Sequence, residues 1–141
     1  MKSGLIVLVV SMLSLSVNAQ EKVELGPSCP DLSVTGIKNK EAFLKYLSEL
    51  KTAAAAKDSK ALAPLVLFPL RVNTSPKKKT LKNEADLKKH FSAAFTDKVL
   101  KAIAAQEAGQ IFCRDQGAMV GNGEVWIQEN KGRIGISTIN P

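Results

Sequence analysis

The stretch QIFCRDQGAMVGNGEVWIQENKGRIGISTI, Gln110 to Ile139, decides how the chain folds. It holds no run with a helical period. Apolar residues alternate with polar ones, and Gly and Asn fall at intervals that suit turns. Ile111 to Asp115 reads as a strand, Gln116-Gly117 as a turn, and Asn130-Lys131-Gly132 as a hairpin turn. Arg133 to Ile139 reads as the closing strand, with Ile134, Ile136 and Thr138 on one face. Between these, Ala118 to Gln128 is either one long strand with a bulge at Gly121-Asn122-Gly123 or a hairpin at Asn122-Gly123. The bulge is the preferred expectation, because Ala118 to Gly121 is short for a strand of its own.

Upstream the period changes. Val66, Phe68, Leu70 and Val72 alternate with Leu67, Pro69, Arg71 and Asn73, which predicts a strand with Pro69 at an edge or a bulge. Thr74 to Thr80 is a turn that carries Lys77, Lys78 and Lys79. Asn83, with Asp86 three residues on, predicts a capped helix that buries Leu87, Phe91, Ala94 and Phe95. Thr96-Asp97 ends it and caps another, whose stripe is Val99, Ala102 and Ile103. Earlier still, Asn39 caps a helix from Lys40, with Phe43, Leu47, Leu50 and Ala54 on one face and Tyr46 widening it. Lys60 to Leu65 is a short second helix that Pro64 limits. Residues 20–37, with Gly26, Pro27 and Pro30, read as an extended arm.

The first nineteen residues read as a leader. Lys2 supplies a positive charge, Leu5 to Leu15 is almost wholly apolar, and Val17-Asn18-Ala19 has small residues at the cleavage positions. The expectation is a signal peptide over 1–19, cleaved between Ala19 and Gln20, and a mature protein in the periplasm or outside the cell without a transmembrane segment. An even pair of cysteines in an oxidising compartment suggests one disulfide, Cys29 to Cys113. The alternative is two separate thiols. There is no CxxC pair for thiol redox chemistry, and one His with two Cys gives no ordinary zinc site, so neither a metal nor another cofactor is expected.

The order of helix, short helix, strand, helix pair and antiparallel meander resembles the nuclear transport factor 2-like fold, the cystatin-like cone. The residues that carry the resemblance are Leu67-Phe68-Pro69-Leu70-Arg71-Val72-Asn73, the junction Ala94-Phe95-Thr96, the block Gln116 to Ile127, and the closing Ile139-Asn140. It is similar to small exported bacterial proteins of that superfamily. The resemblance implies a single α+β domain over 38–141, with a curved antiparallel sheet wrapped around a long N-terminal helix. It implies no one activity, since enzymes, adaptors and binding modules share the fold.

Candidate residues follow from chemistry. His90, the sole histidine, has Asp86 four residues earlier as an orienting partner, the pattern of a general base; the plainer reading is a helix-surface pair. Arg71 is either a contact for an anionic ligand or half of a cross-strand ion pair. Trp126 points opposite Val125 and Ile127, where it either plugs the cone mouth or stands exposed as a binding anchor. Lys77, Lys78 and Lys79 are a solvated run that gives solubility or steers the protein to an acidic partner. No aromatic platform accompanies the lysines, so nucleic acid is not expected. Gly121-x-Gly123 has no helix after it to receive a phosphate. With no convincing catalytic constellation, the first expectation is a non-enzymatic binding protein. It would take a protein partner or small ligand in the cell envelope, as an inhibitor or immunity protein does. The alternative is an isomerase or hydrolase using the cone pocket. A homodimer through the sheet face is a further expectation.

Overall fold

The computed structural model describes residues 23–141, so the expected leader lies outside the described residues. Among the described residues four α-helices and six strands form one α+β domain: α1 (Lys40–Ala55), α2 (Ser59–Leu62), β1 (Val66–Val72), β2 (Lys79–Leu81), α3 (Glu84–Ala94), α4 (Asp97–Ala105), β3 (Phe112–Arg114), β4 (Gly117–Val120), β5 (Val125–Asn130) and β6 (Arg133–Ile139). The strand order is β2-β1-β6-β5-β4-β3, and the sheet is open. The expected all-antiparallel sheet is corrected here. The β1 strand runs parallel to β6, with Val66 beside Ile136 and Val72 beside Ile139, so the sheet is mixed. A parallel neighbour requires a long crossover, and α3, α4 and the β3–β5 meander supply it.

Helix starts follow the expected chemistry. Asn39 Oδ1 accepts from the Ala42 amide at 2.8 Å, and Asn83 Oδ1 accepts from the Asp86 amide at 2.9 Å. Each bond satisfies a donor that the first helical turn leaves free. Thr96 Oγ1 does the same for Val99 at the start of α4. The apolar stripe of α1 is buried as its spacing predicts: Phe43, Tyr46, Leu47, Leu50 and Ala54. These meet Val66, Leu70, Val72, Ala118, Val120, Val125, Ile127, Ile136 and Ile139, one face of the sheet, in a single core. The Tyr46 hydroxyl donates to Leu65 O at 2.6 Å, and burial pushes its pKa up.

Two local expectations change. The Gly121-Asn122-Gly123 segment is not a bulge in one long strand. Ala118, Met119 and Val120 pair with Ile127, Trp126 and Val125, so β4 and β5 form a hairpin around residues 121–124. Gly121 and Gly123 have φ of 60° and 104°, in the region that glycine tolerates best. A bulge does occur on β6. Trp126 pairs with Thr138 but Ile127 pairs with Ile136, leaving Ser137 as the extra residue. That insertion puts Ile136 and Ile139 in the core and turns Thr138 away, which breaks the expected Ile134, Ile136, Thr138 face. Pro69 also lies at a register shift, between Val66 and Arg71 on β1.

The N-terminal arm covers the β3 edge. Cys29 and Cys113 are disulfide-bonded, and the Cys113 amide donates to Ser28 O at 3.1 Å. The arm is not wholly extended. Leu32–Thr35 forms one 3-10 turn capped by Asp31, whose carboxylate accepts from the Ser33 hydroxyl and amide. Those bonds hold the Asp31 carboxyl below its usual pKa. The arm also crosses Gly109 very closely: a Cβ on Gly26 would lie 1.9 Å from Gly109 O. Gly26→Ala is therefore expected to destabilise by about 1–3 kcal/mol, the ordinary cost of overpacking, read as a shift in the urea midpoint at unchanged slope.

Candidate functional site

Alternation in the meander produces a second sheet face, turned away from α1. The register aligns one row across the whole sheet: Thr80, Arg71, Thr138, Trp126, Met119 and Phe112. None of the six is buried. Phe112 is 41% exposed, among the few large apolar side chains so open. Phe112, Met119 and Trp126 are successive cross-strand neighbours, so their side chains form a continuous apolar ladder on three strands. Val125, Ile127, Ala118 and Val120, the chain neighbours of Trp126 and Met119, are all fully buried on the other face. The same alternation that builds the core therefore presents the ladder.

The ladder has a polar margin. Arg71 is exposed in the row, one strand beyond Thr138. At the turn end, Trp126 and Met119 border a shallow depression of about 570 Å³ with Lys98, Gly123, Glu124 and Asn140. Arg114, on the same strand as Phe112, is held by Asp115 at 3.2 Å. No helix among the described residues is long and apolar enough to cross a membrane, and no group of His, Cys, Asp and Glu there could hold a metal.

A side-chain clamp fixes the turn beside Trp126. Asn140 Nδ2 donates to Gly123 O at 2.6 Å, and Asn73 Nδ2 donates to Asn140 Oδ1 at 2.7 Å. The Asn140 amide donates to Glu124 O at 2.8 Å, and the Gly121 amide donates to Gln106 Oε1 at 2.7 Å. Gln106 is buried, so this bond ties the turn to the end of α4. The carboxylate of Glu124 accepts from the Asn122 amide, which closes the turn on itself. Asn140→Ala removes two of these bonds and is expected to cost about 1–3 kcal/mol. Faster amide hydrogen exchange at residues 121–124 would report the loosening locally.

The remaining candidates separate. His90 is half-buried on α3 and its Nδ1 lies 3.5 Å from Lys79 Nζ. Asp86 does not orient it: the Asp86 carboxylate accepts from the Lys82 amide at 2.9 Å. The backbone also leaves helical geometry at His90, with φ −113° and ψ 16°. Lys77 and Lys78 are exposed on the turn between β1 and β2, and Lys79 begins β2. Thr74 Oγ1 donates to Lys77 O within that turn. The sheet thus joins Trp126 and Arg71 in one row, while His90 and the lysine run sit apart from it. Phe112 and Met119 join Trp126 on this face. The signal is the alternation itself: Met119 and Trp126 each sit between two core aliphatics, in Ala118-Met119-Val120 and Val125-Trp126-Ile127. Comparison with known proteins adds no relative: no protein-family profile, no curated protein and no solved structure matches the chain.

Proposed function

We propose that this is an exported, non-enzymatic binding protein that recognises a protein partner through the outward sheet face. An inhibitor or immunity protein acting on an envelope-targeting partner is its concrete form. The observation that carries the reading is the Phe112–Met119–Trp126 ladder, an apolar strip on the outward sheet face in which Phe112 is exposed and Met119 and Trp126 are partly so. Recognition surfaces place an aromatic anchor centrally, with polar groups at the rim. Here Arg71 and Lys98 supply that rim, and the net positive charge, formally +7 for the full chain and one less once a leader carrying Lys2 is removed, favours an acidic partner. The same charge works against a second copy of the chain as occupant. Export is supported by the leader-like sequence at 1–19 and by the disulfide, which fits an oxidising compartment. On the resemblance carried by Leu67 to Asn73 and Gln116 to Ile127, we place the chain in the nuclear transport factor 2-like superfamily.

Site-specific photo-crosslinking tests the proposal. A photoreactive phenylalanine analogue replaces Phe112 in one variant and Lys45, exposed on α1, in another. Both are expressed as the full chain and irradiated in the producing cells. The expected result is one discrete adduct from position 112 and none from position 45. The adduct should disappear when Trp126→Asp is added. No adduct at 112, or an equal one at 45, overturns the reading.

A further inference from the structure

A separate groove lies between α2 and α3, with no lining residue in common with the depression beside Trp126. Its volume is about 420 Å³, inside the range of small-ligand pockets. Its floor is apolar: Leu87 is 1% exposed, and Ala63, Ala85 and the Phe91 ring line it. Phe91 stacks on Phe95 at 4.9 Å between ring centroids yet remains half-exposed toward the groove. Two lysines stand at the rim on opposite walls, Lys60 from α2 and Lys88 from α3. Among the described residues neither forms an ion pair. One acid, Glu84, shares the rim, so two ammonium groups face one carboxylate.

An apolar trough with surplus positive charge at its lip matches one ligand chemistry. We infer that the α2–α3 groove binds a single-chain amphiphilic carboxylate, its hydrocarbon lying on Leu87, Phe91, Ala63 and Ala85 and its head between Lys60 and Lys88. Burial of the chain supplies the affinity, since apolar area leaving water is the main favourable term. The two lysines set the sign of the head group, because a cationic head there would meet like charges. The small volume suits one chain of about a dozen carbons rather than a two-chain lipid. This site does not depend on the proposed protein partner, since its walls share no residue with the Phe112–Met119–Trp126 ladder.

Isothermal titration of the purified protein, produced from the full chain, with dodecanoate below its micellar concentration tests the inference. Dodecyltrimethylammonium and hexanoate are the matched probes. Saturable one-to-one binding of dodecanoate is expected, with a Kd on the order of 10–100 μM. The cationic chain and the short acid should each bind at least tenfold more weakly. Ala85→Trp fills the trough from an exposed helix position and should abolish binding with an unchanged melting curve. The pair Lys60→Glu and Lys88→Glu should weaken dodecanoate at least tenfold and reverse the preference for head-group charge. The inference is overturned by no saturable binding below 1 mM, by equal binding of the cationic chain, or by binding that survives Ala85→Trp with the fold intact.

Discussion

Replacing Cys29 and Cys113 together with alanine is expected to lower the unfolding free energy by about 4 kcal/mol in the chain-entropy description. The bridge spans a sequence separation of 84 residues, so without it the unfolded chain gains the freedom of a long open loop. A loss of that size corresponds to a fall in melting temperature of roughly 10–20 °C. The structural consequence is specific. The bridge holds the arm against β3, where Ser28 O takes the Cys113 amide. Release of the arm leaves an edge strand with unpaired amides, which invites association between chains. Concentration-dependent aggregation of the double variant, measured beside its melting curve, is therefore part of the expected result. A fall under about 1 kcal/mol would mean that other contacts hold the arm.

Trp126→Ala is expected to separate binding from folding. The indole lies on the outward face and is only partly buried, so its removal opens no cavity in the core formed by Phe43, Leu50, Ile127 and Ile136. The melting temperature should move by a few degrees at most. Affinity for the crosslinked partner should fall by about 2–4 kcal/mol, or roughly 30- to 1000-fold, the cost of truncating an aromatic hot spot. Arg71→Ala, at the rim of the same row, should act chiefly on association rate and on its salt dependence. Equal losses of stability and affinity in Trp126→Ala would assign the indole to packing instead.

Much of the fold was legible because local chemistry and global packing agree. The Phe43, Leu47, Leu50, Ala54 stripe and the Asn39 cap define α1, and the Asn83 and Thr96 caps define α3 and α4. The period-two pattern placed Arg71 and Trp126 on the face opposite the core. What the sequence hid depends on distant partners. Nothing local in Leu67 to Val72 says that its neighbour will be β6 in parallel. The hairpin at residues 121–124 is held by Gln106, Asn73 and Asn140, from three other parts of the chain. The His90–Asp86 spacing suggested a pair, but Asp86 is taken by the Lys82 amide and the helix distorts at His90. The extra residue Ser137, whose hydroxyl donates to Trp126 O at 3.3 Å, shifts the face of β6 in a way that strict alternation does not foresee.

Trp126 is the chain's single tryptophan, so one spectroscopic signal reports on the proposed recognition face. Protein labelled with 5-fluorotryptophan gives one fluorine resonance, and titration with the partner captured at position 112 reads that site alone. The account predicts that the resonance shifts or broadens in proportion to complex formed and is fully displaced at one equivalent. A resonance unchanged while the partner binds would contradict it.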